Sequence, residues 1–126
     1  MGRTYHARNK KAKGNMGSSF DVNFAGADVL GFIMRSVRCH SLVIERLHAP
    51  LRKAGIDRPC TKYKMTAKQA RVAAGRLRKL TDRQKANLYK RVKGNWDTAS
   101  TRKEFEDFIM EWVEFLETCS GYEVPG

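Results

Sequence analysis

Three groups of side chains in this sequence are of types that do chemistry: cations crowded between Lys62 and Lys93, Cys and His spread from Cys39 to Cys60, and acids recurring from Glu104 to Glu117. The cations are the most concentrated. Residues 62–93 hold twelve Lys or Arg and a single acid, Asp82. Lys and Arg at this density bind phosphate: each contact displaces condensed counterions from a polyanion, which gives affinity that falls with salt and reads little sequence. The helical repeat of about 100° per residue sorts them by face. Lys64, Lys68, Arg71, Arg78 and Lys79 fall on one side, with Arg76 at its edge. Ala70, Ala73, Ala74, Leu77 and Leu80 fall on the other. Tyr63 and Tyr89 are aromatic neighbours that can stack on exposed bases or pack in the core; core packing is favoured.

The Cys and His group lacks the spacing of a metal site. Cys39, His40, His48 and Cys60 contain no paired ligand spacing of the Cys-x2-Cys kind, and the adjacent Cys39 and His40 would point apart on a helix. No metal or other cofactor is expected. Cys39 between Arg38 and His40 is the one candidate nucleophile, because nearby cations favour a thiolate. No third group, oxyanion loop, Gly-x-Gly-x-x-Gly, phosphate loop or His-Glu-x-x-His accompanies it. Glu104, Asp107, Glu111 and Glu114 recur every three or four residues, the spacing of a solvated helix face and not of a general acid–base pair. The expectation is a non-enzymatic protein with no catalytic residue.

Charge along the 126 residues is uneven. The net charge of +12 divides into +5 over residues 1–16, +2 over 17–61, +11 over 62–93 and −6 over 94–126. Clustered positive charge favours DNA, RNA, a ribonucleoprotein or an anionic membrane face as partner. The longest apolar run, Val29–Met34, is interrupted by Gly31 and is too short to span a bilayer, so no membrane role is expected. No signal peptide is apparent, and three cysteines cannot all pair within one chain; both point to a reducing, cytoplasmic setting.

These side chains need elements to position them. Residues 1–17 read as a flexible basic arm: Arg3, Arg8, Lys10, Lys11 and Lys13 are interleaved with Gly, Asn and Ala, with few large apolar groups to build a core. Residues 18–126 read as a single helical domain. Phe20, Val22 and Phe24 alternate as a short extended lead-in, and Asn23 caps a helix over 24–37. Ser41 opens a second helix ending at Ala54, kinked near Pro50 and closed by Gly55. Thr66 and Gln69 form a capping box that starts the basic helix; Thr81 and Gln84 repeat it, ending that helix at Leu80, with one helix continuing through Thr81 as the competing reading. A third box, Thr101 with Glu104, starts a final helix whose Phe105, Phe108, Ile109, Trp112, Phe115, Leu116 and Cys119 share a face. Tyr122–Gly126 reads as a tail. The expected fold is therefore all-α, about five helices around one core with Phe105, Trp112 and Phe115 at its centre and Leu30, Ile33, Leu47 and Leu77 against them, preceded by the disordered basic arm.

The stretch Asn23-Phe-Ala-Gly-Ala-Asp-Val-Leu-Gly-Phe-Ile and the ending Phe115-Leu-Glu-Thr-Cys-Ser-Gly-Tyr-Glu-Val resemble small helical proteins encoded by bacteriophages and prophages. The likeness spans about a third of the chain and leaves out the basic stretch. It implies an accessory protein that acts on host machinery, a class that includes anti-CRISPR proteins and inhibitors of host transcription, working in the host cytoplasm. It brings over no catalytic residue.

Two functional expectations follow. The first is a small basic protein that binds a DNA or RNA backbone, or a ribonucleoprotein, through Lys64, Lys68, Arg71, Arg78, Lys79 and Arg83 together with Arg3, Arg8, Lys10, Lys11 and Lys13 of the arm. A DNA-reading helix-turn-helix is disfavoured, because Gly75 lies inside the basic helix and not in a turn. The second is an inhibitor that docks on a host protein complex. In that case the acids of the last helix neutralise part of the basic face within the fold, or join basic faces between copies.

Overall fold

A computed structural model of the protein describes residues 3–39, 63–96 and 100–124. In chain order these form β1 (Arg3–Ala7), β2 (Ser19–Val22), α1 (Phe24–Ser36), β3 (Tyr63–Thr66), α2 (Ala67–Arg78), α3 (Asp82–Trp96), α4 (Arg102–Thr118) and β4 (Gly121–Val124). The strands make one antiparallel sheet in the order β2–β1–β4–β3. The expected all-α fold is thus overturned: the described residues form an α+β domain, four helices with a four-stranded sheet. The second expected helix, with Pro50, Gly55 and Leu47, lies outside the described residues.

The sheet forms because each short strand supplies large apolar groups to a common inner face. Tyr5, Phe20, Val22, Met65 and Tyr122 are buried. The cross-strand partners Tyr5↔Phe20 and Met65↔Tyr122 put them side by side, an arrangement that stabilises a sheet through packed pairs. They close on α4. Trp112, 1% exposed, meets Tyr5 edge-on at 5.0 Å, Phe20 edge-on at 5.1 Å and Phe115 stacked at 5.6 Å. Its indole N–H points to Met34 Sδ of α1 at 3.3 Å. The final helix is therefore the spine of the core, and Phe105, Trp112, Phe115, Leu30, Ile33 and Leu77 are all buried around it.

The disordered arm is likewise overturned. Residues 3–7 are β1, hydrogen-bonded between β2 and β4. The loop beyond is tied to the C-terminal end of α4, where the last carbonyls of a helix lack partners within it. Asn9 Nδ2 donates to Thr118 O at 2.9 Å, Asn9 N to Cys119 O at 3.0 Å, and Lys13 N to Thr118 Oγ1 at 2.9 Å. Ala12 is buried. The chain then turns tightly through Gly14 and Gly17, where a side chain at Gly14 would sit 2.0 Å from Ser19 O.

Helix boundaries follow local chemistry closely. Asn23 accepts from Gly26 N at 2.8 Å and starts α1. Reciprocal capping boxes are present at Thr66–Gln69, Thr81–Gln84 and Thr101–Glu104, each satisfying two otherwise orphaned donors. The box at Thr81 separates α2 from α3, so the single-helix alternative does not hold. The chain leaves α4 through Ser120 (φ 54°) and Gly121 (φ 94°) and enters β4 at once. A Cβ at Gly121 would lie 2.8 Å from Met65 O, so the β3–β4 approach requires glycine there.

Candidate nucleic-acid interface

Helix α2 buries Ala70, Ala73, Ala74 and Leu77. Three of these four are small, so the helix axis lies close to the core and its outer side is left to the remaining residues. Lys68, Val72, Gly75 and Lys79 fall within about 60° of one another around the axis. They form a ridge that rises about 16 Å from Lys68 to Lys79. All four are exposed, Val72 to 43%. Arg71 and Arg78 flank the ridge on one side, and Arg76 on the other.

The flanking arginines have different roles. Arg78 reaches α4 and donates Nε and Nη2 to the two carboxylate oxygens of Glu117, each at 2.6 Å. This forked pair holds Glu117 below the usual carboxylate range, chiefly by the hydrogen bonds from Arg78, and raises Arg78 by the same contact. Arg76 turns to the C-terminal end of α1. That end is closed by Arg38 in the left-handed region (φ 58°), with Arg38 N donating to Arg35 O at 3.0 Å and Cys39 N to Met34 O at 2.9 Å, the pattern of a Schellman cap. Arg76 Nη1 donates to Val37 O at 2.9 Å, supplying both a donor and a positive charge at the negative end of the α1 dipole. Arg71, on the same flank as Arg78, makes no ion pair among the described residues.

The other expected site residues divide the same way. Lys13 pairs with Glu114 at 3.7 Å, Lys64 with Glu123 at 3.7 Å and Arg8 with Glu123 at 3.8 Å. Glu123 thus links residues around β1 and β3 across the sheet. With Arg78, these four expected residues are paired with carboxylates of the C-terminal segment. Lys68, Arg71, Lys79 and Arg83, together with Lys10 and Lys11 on the Asn9 loop, make no ion pair among the described residues and are exposed. Arg3 is placed in β1, but its side chain lies outside the described set.

Helix α3 continues the positive charge. Asp82 opens its first turn with Arg83 next, four residues past Lys79, and Lys90 is exposed on the same side of this helix as Arg83. Arg91 instead lies over the Phe32 ring of α1 at 4.9 Å. Tyr89 is not free to stack on a base. Its hydroxyl donates to Ser100 O at 2.6 Å and its ring packs against Phe105 at 5.7 Å. Tyr63 lends its backbone to β3; its side chain is outside the described set. Residues that sequence reasoning did not assign to the face are Lys90, which the helical repeat places beside Arg83, and the two uncharged ridge positions Val72 and Gly75.

Gly75 in α2, like Gly94 in α3, is an exposed glycine within a helix. A glycine in a helix interior costs about 1 kcal/mol relative to alanine. Yet a Cβ built at Gly75 meets nothing within 4 Å among the described residues, and its φ is not in the left-handed region. Neither packing nor backbone conformation in the described fold calls for glycine at this point.

Two other concave regions border the face. A groove of about 510 Å³ runs along α4 between Lys13, Arg78, Asp107, Met110, Glu111, Glu114 and Glu117. Arg78, on the flank of the α2 ridge, also lines this acidic groove. A smaller groove of about 170 Å³ lies between Arg38, Cys39, Lys68, Gln69, Val72 and Arg76. The Cys39 thiol there is half-buried and donates to Val37 O at 3.3 Å. Cys119, by contrast, is buried, and burial pushes its thiol up. Among the described residues no three of His, Cys, Asp and Glu converge as metal ligands would; His40, His48 and Cys60 lie outside them. Among the described residues no helix is long and apolar enough to cross a membrane. No protein-family model, curated protein or solved structure matches the chain.

Proposed function

We propose that this is a non-enzymatic protein that binds a DNA or RNA backbone, alone or within a ribonucleoprotein, through the outward side of α2 and the start of α3. It would act in the cytoplasm, that of the host if the chain is phage-encoded. The observation that carries this reading is the division of the cations. Lys13, Lys64 and Arg78 are paired with acids of α4 and β4, whereas Lys68, Arg71, Lys79 and Arg83 stand exposed with no carboxylate partner among the described residues. Unpaired cations in solvent are the groups that exchange counterions with a polyanion. Their helices are held from behind by capping boxes and a buried apolar side, so the charges are presented from a fixed frame.

The test is neutralisation of these four residues to Gln. None of their side chains makes a hydrogen bond or ion pair among the described residues, so the variant is expected to keep its circular dichroism and melting temperature. Its affinity for mixed-sequence RNA or DNA is expected to fall by at least about tenfold, as for loss of several phosphate contacts. A variant that binds like the wild type would place the interface elsewhere. Arg78 is not a suitable probe, because its removal also breaks the tie to Glu117.

A second reading, docking on a host protein complex, is favoured by Met110. This side chain is 41% exposed and sits in the groove among Asp107, Glu111 and Glu114, an apolar contact ringed by charge of the kind found at protein interfaces. It predicts that the protein co-purifies with one host assembly after nuclease treatment and shows no affinity for free nucleic acid.

A further inference from the structure

We infer that Gly75 marks where the sugar–phosphate backbone of the bound strand crosses α2, with Lys68 and Lys79 holding phosphates on either side and Val72 lying against a sugar. This rests on the nucleic-acid reading and deepens it from a charged face to a defined line of contact. Four observations meet at this position. Gly75 lies inside the helix, exposed, with an ordinary φ and with nothing among the described residues within 4 Å of where its side chain would be. The residues one turn away on the same ridge are Val72 and Lys79, and Lys68 lies two turns before it. Neither lysine is engaged by a carboxylate among the described residues. Val72 is the one large apolar side chain of α2 left exposed, at 43%.

The chemistry of the ridge selects the occupant. A sugar–phosphate chain alternates charged and apolar groups, and the ridge alternates cation, apolar residue, gap and cation. Glycine lets a backbone approach a helix to within van der Waals distance of its main chain. A methyl group there would hold the strand outward and lengthen the phosphate bonds of Lys68 and Lys79 beyond the short range, about 2.7–2.9 Å, at which charge-assisted hydrogen bonds are strong. The helix therefore forgoes local stability at the point of closest approach, the trade expected where a binding role opposes stability.

Because stability and binding are expected to move in opposite directions, substitution at Gly75 separates them. Gly75→Ala and Gly75→Leu are compared with wild type by thermal melting and by fluorescence anisotropy, using labelled mixed-sequence RNA and DNA. Gly75→Ala is expected to melt roughly 3–6 °C higher. It is expected to bind about fivefold more weakly, and Gly75→Leu more weakly still, without melting below wild type. Higher melting with unchanged affinity would overturn the inference, making Gly75 a neutral surface position. Lower melting for Gly75→Ala would overturn it too, by showing that the fold itself needs glycine. If wild type binds neither probe, the nucleic-acid reading fails and the crossing point with it. If wild type binds and the two variants match it, only the crossing point fails.

Discussion

At the scale of single residues, Asn9 converts an apparently free segment into part of the fold. Its amide donates to Thr118 O while its Oδ1 accepts from Lys11 N at 3.1 Å, so one side chain closes the end of α4 and shapes the loop that carries Lys10, Lys11 and Lys13. Asn9→Ala removes both bonds and leaves the Thr118 carbonyl without that donor. It is expected to cost about 1–2 kcal/mol, measured by denaturant unfolding, and to speed amide exchange selectively over residues 9–13. Global unfolding stability unchanged within error would mean that the loop is held by other contacts. This role could not be read from sequence. Asn is an ordinary loop residue, and its partner is 109 positions away. The residues that were legible are those whose role is set by near neighbours: Asn23, Thr66, Thr81 and Thr101 as caps, and Trp112 as the centre of an apolar stripe. Arg78 was legible as a cation on a face but not as a partner of Glu117, because pairing depends on how two helices dock.

At the scale of elements, the helices were visible and the strands were not. An α-helix of twelve or more residues repeats its apolar side several times, as α4 does from Phe105 to Cys119. Each strand here has only four or five residues. In β1 the clearly buried group is Tyr5, and in β4 it is Tyr122 beside Gly121. Such pieces carry too few alternations to register as strands, and β1 and β4 meet only because the fold brings the two ends of the chain together. The Arg78–Glu117 fork joins two elements, α2 and α4, and gives their docking a pH dependence. Glu117 is held below the ordinary carboxylate range, so on acidification the folded state takes up its proton later than the unfolded chain does. Its contribution to stability is complete above the unfolded value of about pH 4.3 and is lost as the pH falls through the lowered folded value. Glu117→Gln is therefore expected to flatten the acid limb of the stability–pH curve while leaving its slope near neutrality unchanged. An acid limb as steep as in wild type would show that the pair carries no such linkage.

At the scale of the whole molecule, the +11 of residues 62–93 and the −6 of residues 94–126 do not cancel. Contacts between the two segments use Arg78 and Lys64 against Glu117 and Glu123. The N-terminal Arg8 and Lys13 pair with Glu123 and Glu114. Among the described cations left without such a partner are those of the α2 ridge and the start of α3, together with Lys10 and Lys11 on the Asn9 loop. The charge asymmetry was legible in composition; which cations it leaves unmatched was not, because that depends on the packing of α2 against α4. The salt dependence of binding to mixed-sequence RNA or DNA tests the central claim most directly. If Lys68, Arg71, Lys79 and Arg83 each neutralise a phosphate, log K against log salt is expected to fall with a slope of about −3, roughly a 60-fold loss from about 50 to about 200 mM. In the variant with all four replaced by Gln most of this slope is expected to be lost, with Lys10, Lys11 and Lys90 keeping the remainder. Wild-type binding that does not change with salt, or a variant that keeps the wild-type slope, would contradict it.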